Sequence, residues 1–436
     1  VNDLRVPNFA LSLPLASGFA AHLDTLDQQA RVHASRHRHA LADSGLDSDT
    51  VTNQFADIRA AFDCNQTRAV RASDTPPLEP RRRVAVVSDA APERNGVGTY
   101  YSDLIDHLRD AVTSIRLITP GDPDRVIHHW FETGLPGDAT QHLALPSPFD
   151  LQRTLAAQQP DVLIVATPGP YGVLAGLMAR RLGARLIFGL HTDYEALAAL
   201  YWGRLMGPVN RWGMARIDAM LFRRAAVVVS NSAHMHRLAI TKGAHQAVRV
   251  STPIPRGFLD TPIAPLQTPP TRILFVGRLA AEKRVDTIID LAAAFPDRVV
   301  FIAGDGPLRD EVEAAAARLD NLTYLGWLDR HALREALDAS DLLILPSYVE
   351  AFGTVALEAM TRGRLTLVSP GCGIVDWPEL APGLRIMAPG ESVTEALQRL
   401  LNESPRALTE CAATARRQAA ATARRCTDEW LALMRP

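Results

Sequence analysis

Lysine is nearly missing from this chain. Of 46 basic residues in 436, two are lysines, Lys242 and Lys283, and the rest are arginine. A lysine kept against that background draws notice, because a compact ammonium is a point charge that a planar guanidinium does not replace. An excess of charge is missing as well. The formal net charge is −2, which leaves no global basic footprint and argues against nucleic acid as a partner. The apolar runs are short and broken by Arg, Gly or Pro, so no transmembrane helix is expected. No charged segment leading into an apolar core opens the chain, and a cytoplasmic protein is expected. Cys64, Cys372, Cys411 and Cys426 lack metal-type spacing and read as separate thiols of a reducing compartment. No carboxylate cluster suggests a metal site.

What is present is an alternation. A hydrophobic fraction of 47% with 22% charged residues is ordinary for a soluble globular protein, and the length calls for two domains or more. From Arg83 onward, β-type apolar runs alternate with helical stretches, which predicts an α/β fold of parallel sheets with helices on both faces. Residues 84–87, 115–118, 162–165, 186–188 and 227–229 read as strands of a first unit. A proline-rich segment, 252–270, reads as an exposed linker. Residues 273–276, 299–302, 322–325, 342–345 and 365–368 read as strands of a second. The expected domains are a helical extension and linker over 1–80, Rossmann-like units over 81–255 and 256–407, and a last helix over 408–436. In the extension, 31–42 and 51–62 look helical. His33, His37 and His39 suggest metal at first glance, yet a solvated basic helix fits better because no acidic or cysteine partner is near.

The densest signal is Ser347-Tyr348-Val349-Glu350-Ala351-Phe352-Gly353-Thr354-Val355-Ala356-Leu357-Glu358-Ala359-Met360. A buried strand precedes it and residues 353–361 favour helix, so Glu350 falls in the loop at the strand's carboxyl end and Glu358 in the helix. That edge of an open α/β sheet is where ligands bind. Free amides near Phe352 and Gly353 form a helix start suited to an anion. Two carboxylates beside an anion site make sense if they hold hydroxyls, and a sugar on a nucleoside diphosphate has both parts. A second cluster, Gly277-Arg278-Leu279 followed by Glu282-Lys283-Arg284, sets two cations five residues apart after another strand. Such cations stabilise charge developing on a departing diphosphate.

The stretch around Glu350 and Glu358 resembles the E-x7-E signature of the retaining glycosyltransferases of family 4, which have the two-Rossmann GT-B architecture. The resemblance implies that Glu350 binds donor-sugar hydroxyls, that Glu358 binds the ribose, and that Arg278 and Lys283 clamp the diphosphate. Gly277, Phe352, Gly353 and Thr354 then line the donor site. Arg284 departs from the family's usual glycine. Gly304-Asp305-Gly306-Pro307 matches a family turn and is assigned a structural role near the nucleotide. The loop Asn95-Gly96-Val97-Gly98 resembles the family's Asn-Gly-Val loop, which approaches the donor phosphate or the acceptor. His191-Thr192-Asp193 resembles an element whose histidine lines the reaction centre. The motifs lie nearest to bacterial transferases acting on mannose or glycolipids.

The implied reaction moves a sugar from a GDP- or UDP-sugar to an acceptor hydroxyl, with retention, no cofactor and no required metal. The departing phosphate itself accepts the proton. A lipid, glycolipid or saccharide acceptor is expected, with peripheral contact on the cytoplasmic face of the inner membrane. Aromatics and arginines from Tyr201 and Trp202 through Arg224 fit either a membrane surface or a core-facing stripe. Two other classes stay open, a nucleotide-sugar epimerase of the same architecture and a non-catalytic nucleotide-sugar-binding protein.

Overall fold

The computed structural model of the chain describes residues 82–90, 96–120, 127–135, 138–192 and 207–435. The helical extension, with His33, His37 and His39, lies outside them, as do Asn95, Tyr201 and Trp202. Two parallel six-stranded sheets carry the fold. The first contains β1 (Arg83–Val87), followed by α1 (Gly96–Leu108), β2 (Ser114–Ile118) and an antiparallel hairpin, β3 (His129–Leu135) and β4 (Asp138–Pro146). Then come α2 (Pro148–Gln158), β5 (Val162–Val165), α3 (Pro170–Met178), β6 (Arg185–Leu190), α4 (Gly207–Arg224), β7 (Val227–Ser230), α5 (Ala233–Thr241), β8 (Ala247–Arg249) and α6 (Arg256–Asp260). Its strand order is β2-β1-β5-β6-β7-β8. Runs such as Val162–Val165 and Val227–Ser230 are buried along their whole length, as strands covered by helices on both faces must be.

The second sheet repeats the plan. It holds β9 (Arg272–Val276), α7 (Val285–Ala294), β10 (Val299–Ala303), α8 (Arg309–Arg318), β11 (Leu322–Gly326), α9 (Arg330–Ala339), β12 (Leu342–Leu345), α10 (Thr354–Thr361), β13 (Leu365–Val368), β14 (Arg385–Ile386) and α11 (Val393–Leu401). The order is β11-β10-β9-β12-β13-β14. Both sheets therefore reverse direction beside their first strand, and the expected two-Rossmann α/β class holds.

The segment 252–270 is only in part the exposed linker expected from its prolines, with Pro262, Pro265 and Pro269 exposed. Thr252, Ile254 and Phe258 are buried. Arg362, itself buried, donates to the carbonyls of Phe258 and Thr261 at 3.0 and 2.8 Å and to that of Pro262 at 2.6 Å, while also pairing with Asp338. Proline removes backbone donors and leaves carbonyls that need partners, and buried guanidinium groups meet that need. Sequence alone also does not reveal the hairpin β3–β4. It is tied down by His129 Nε2, which lies 2.7 Å from the Tyr171 hydroxyl on α3.

The last helix, α12 (Pro405–Leu433), starts in the core of the second sheet through Leu408 and Cys411 and ends in that of the first through Cys426 and Trp430. The Trp430 indole N–H donates to the Tyr100 hydroxyl at 2.8 Å, and Tyr100 in turn donates to the Ser251 carbonyl at 3.2 Å. Replacing Trp430 with alanine removes the largest fully buried side chain and should cost about 3–5 kcal/mol. Urea unfolding measures it, and a loss under about 1 kcal/mol, the range of a surface change, would show that the helix end is not an anchor.

Candidate functional site

The pairing of β9 with β12 covers Ile273–Leu274 against Leu342–Leu343 and stops there, although both strands continue. Their carboxyl ends part at the point where the strand order reverses, which opens the crevice used by ligands in such sheets. Arg278 leaves β9 on a loop braced by the Gly304–Gly306 turn. Leu279 N–H donates to the Asp305 carbonyl at 2.9 Å. Gly304 has φ +135°, and a Cβ there would fall 1.9 Å from the Gly277 carbonyl oxygen, so only glycine fits so close an approach. The structure thus explains the structural part expected of this turn.

Glu350 leaves β12. Its backbone N–H donates to the Gly371 carbonyl at 3.1 Å, and its own carbonyl accepts from Gly373 at 2.9 Å. The two loops meet through side chains: Lys283 Nζ donates to Glu350 Oε2. Burial disfavours the ammonium, but the Glu350 carboxylate and its hydrogen bond overcome this and raise the Lys283 pKa above its ordinary value. Arg278 Nη1 donates to Glu282 Oε1 at 3.0 Å. Gly353, at φ +92°, turns the chain into α10, and no side chain caps the helix start at Thr354. Phe352 is buried in edge contact with Trp377, ring centroids 6.0 Å apart.

Glu358 is 1% exposed. Its Oε1 accepts from Arg330 Nη1 at 2.6 Å, and Arg330 Nη2 donates to Asp103 Oδ2, also at 2.6 Å. Arg330 opens α9 in the second half of the fold, whereas Asp103 lies on α1 in the first, so one guanidinium joins the halves. The same helix reaches His191 at the end of β6. Tyr101 places its hydroxyl 2.9 Å from His191 Nε2, and the Tyr100 ring lies 4.3 Å from the imidazole. Burial pushes the His191 pKa down to about 3, so the ring is neutral near pH 7. Its Nδ1 is buried without a partner among the described residues. Gly96, Val97 and Gly98 form the first residues of α1.

The structure therefore joins Lys283 to Glu350, and joins Glu358 and His191 to α1 by way of residues that the sequence reading did not single out: Arg330, Asp103, Tyr100 and Tyr101. One signal was available. Asp103 is an acid among the buried positions Tyr100, Tyr101, Leu104 and Leu108 of one helix, and buried carboxylates are rare without a partner. Among the described residues no group of three or more His, Cys, Asp or Glu side chains is gathered as a metal would need.

Asp103 carries the clearest pH consequence. Burial, reinforced by the Glu358 charge and opposed by Arg330, pushes its pKa up to about 8 from 3.8. The folded state then holds a proton that the unfolded chain has already released, so this group lowers stability as pH rises from about 4 to about 8. Asp103→Asn removes the titration and should be more stable than the parent at pH 8, the advantage vanishing near pH 4. Urea melts across that range test it, and parallel pH profiles would overturn it.

Two family models match the chain, "Glycosyl transferase 4-like domain" over residues 95–257 and "Glycosyl transferases group 1" over residues 260–418. A GDP-mannose-dependent alpha-mannosyltransferase of Mycolicibacterium smegmatis is 28% identical over 313 residues, covering 67% of this chain and 80% of the relative. A GDP-mannose-dependent alpha-(1-6)-phosphatidylinositol dimannoside mannosyltransferase of Mycobacterium tuberculosis is 33% identical over 150 residues, 33% of this chain and 39% of the relative. The solved structure of sucrose-phosphate synthase from Thermosynechococcus elongatus superposes with a TM-score of 0.62 at 17% identity, over 81% of this chain and 98% of that one. The chain belongs to the group 1 glycosyltransferases of GT-B fold, enzymes that transfer a sugar from a nucleotide-sugar donor.

Proposed function

We propose that the chain is a family 4 enzyme that transfers a hexose with retention of configuration, using the β9/β12 crevice for the donor diphosphate and the first half of the fold for the acceptor. The observation that carries this reading is the meeting of Lys283 with Glu350 at the crevice. A cation and a carboxylate side by side suit a phosphate joined to a sugar. Arg278, Lys283 and the uncapped start of α10 supply positive charge as the bond from the anomeric carbon to the phosphate oxygen breaks. No divalent ion is needed for that role. The acceptor oxygen bonds to the same face of the carbon, and its proton passes to the departing phosphate. Neutral His191 hydrogen-bonds the sugar rather than acting as the base. The relatives' GDP-mannose dependence makes GDP-mannose the first donor to test, ahead of UDP-sugars.

The ion pair sharpens the mutational expectation. With Lys283 held by Glu350, a diphosphate must displace a carboxylate to reach the ammonium. Lys283→Ala should weaken nucleoside diphosphate binding on the order of ten- to a hundred-fold. Glu350→Gln should leave that binding equal or tighter while sugar transfer collapses, and Glu358→Gln should weaken the nucleotide itself. Calorimetry with GDP and UDP, beside a transfer assay, reads all three. Weaker diphosphate binding by Glu350→Gln, or none by any variant changed, would sink the assignment.

A lipid-linked acceptor, with the enzyme peripheral on the cytoplasmic membrane face, is the acceptor reading supported best. Trp212 on α4 is 63% exposed with the Arg216 guanidinium 4.8 Å over its ring. On the hairpin, Trp130 is 62% and Phe131 56% exposed, and Phe149 at the start of α2 is 77% exposed. Aromatics and arginines of this kind suit an interface. Among the described residues no helix is long and apolar enough to cross a membrane, so attachment would be peripheral. Arginines near an anionic surface contribute on the order of 1 kcal/mol each. Sedimentation with anionic vesicles at low salt should therefore recover the protein, and high salt or neutral vesicles should release it. Equal, negligible recovery with both vesicle types would favour a saccharide acceptor.

A further inference from the structure

Arg284 stands directly after Lys283 with φ +55° and ψ +43°, a left-handed conformation that side chains other than glycine rarely adopt. Strain of this kind persists where the surroundings hold it, and it concentrates at ligand sites. Here the guanidinium lies over the Tyr348 ring, 4.7 Å from its centroid. Its one hydrogen bond among the described residues is a long contact from Nη1 to the Pro346 carbonyl, 3.5 Å, and Nε is buried without a partner. No carboxylate among the described residues pairs with it.

The same residue lines a cavity of about 430 Å³ at the carboxyl ends of β12 and β13, a volume typical of small-molecule sites. Ser347 is in its wall, and the Ser347 hydroxyl is buried with no partner among the described residues. Met387 and Pro389 give the cavity an apolar side. Glu391 also lines it, but its carboxylate is engaged by Arg399 at 2.8 and 2.9 Å and by the Ala388 N–H at 2.7 Å. Arg399 first, then that backbone N–H, hold the Glu391 pKa down to about 2. The fixed carboxylate is thereby neutralised by its own cation, and Arg284 is left as the uncompensated charge. Arg284, a cation with a planar fork of donors, thus lines a space large enough for more than water.

We propose that this cavity binds a small molecule through a phosphate or carboxylate group seated on Arg284, at a site separate from the donor diphosphate. A guanidinium fork matches either oxyanion bidentately, so the shared chemistry is the oxyanion. The apolar wall takes the remainder of the molecule. Tyr348 and Gly371 connect the cavity to the loop of Glu350, since Gly371 accepts the Glu350 N–H and Tyr348 N–H donates to the Glu282 carbonyl at 2.9 Å. An occupant would therefore touch the segment that carries Glu350 and that is hydrogen-bonded to the backbone of Glu282, the partner of Arg278.

The test is calorimetric titration of inorganic phosphate and, separately, malonate at constant ionic strength, with and without saturating nucleoside diphosphate. The intact protein should bind one of the two anions, and binding should survive saturation by the nucleotide. A preference for phosphate or for malonate then names the source of the oxyanion. Arg284→Gly and Arg284→Asn both suit a left-handed position, so they keep the fold while removing the charge. Each should weaken the anion by about ten-fold or more and keep whatever thermal stabilisation the nucleotide gives. Three results would overturn the proposal: no binding of either anion by the intact protein, unchanged affinity in both variants, or complete competition by the nucleotide. Should nucleotide fail to bind at all, the donor-site reading falls while the anion titrations still decide this one.

Discussion

Cations placed around a cleft of low polarity have to be neutralised before any ligand arrives, and this requirement organises the site. Lys283 is held by Glu350, Arg278 by Glu282, and Arg330 by Glu358. A partly buried charge without a partner is costly, and removing one member of such a pair leaves the other exposed to that cost. The carboxylates of the E-x7-E pattern therefore have a duty besides the hydroxyl binding proposed for them: they neutralise and position the neighbouring cations. A ligand phosphate entering beside Lys283 substitutes one anion for another, so the crevice need not reorganise around new charge.

Much of this was legible in the sequence because it rests on local rules. A continuous apolar run such as Leu342–Leu345 reads as a strand covered on both faces, and it is one. The loop glutamate at 350 and the lysine at 283 stood out by spacing and by rarity. What stayed hidden was mostly long-range. Asp103 and Arg330 are 227 positions apart, and no spacing rule links them. The hairpin β3–β4 was missed because its exposed face is aromatic rather than polar: Phe131 and Leu145 are cross-strand partners, both turned to solvent. The proline-rich segment is exposed only in part, because proline signals a loop but says nothing of whether arginines elsewhere will bury its carbonyls.

Arg284 shows the opposite case, a residue whose meaning depends on backbone geometry. In the sequence it is one arginine among many, noticed only as a departure from the glycine of the resembled family. In the structure its left-handed conformation, its stacking on Tyr348 and its scant hydrogen bonding set it apart from Arg362 and Arg364, which are fully buried and hydrogen-bonded to backbone carbonyls. Arginines that fasten loops have their donors engaged by the protein. Arg284 does not.

Helix α1 turns these local arrangements into one. Its first turns carry Tyr100 and Tyr101, which hold His191 and receive Trp430 from α12; one turn on, Asp103 reaches Arg330 across the halves. The imidazole, the end of the crossing helix and the Glu358 carboxylate are thus all fixed to one rigid rod. The Glu358 carboxylate is engaged at Oε1 by Arg330. In the proposed donor site a hydroxyl meets a carboxylate already oriented by a half-buried guanidinium, so the ordering cost is met when the protein folds rather than when it binds. The same guanidinium is anchored in the opposite half by Asp103. Any displacement of α1 relative to the second sheet therefore reaches Glu358 through one residue, and the spacing of the halves and the orientation of the carboxylate are set together.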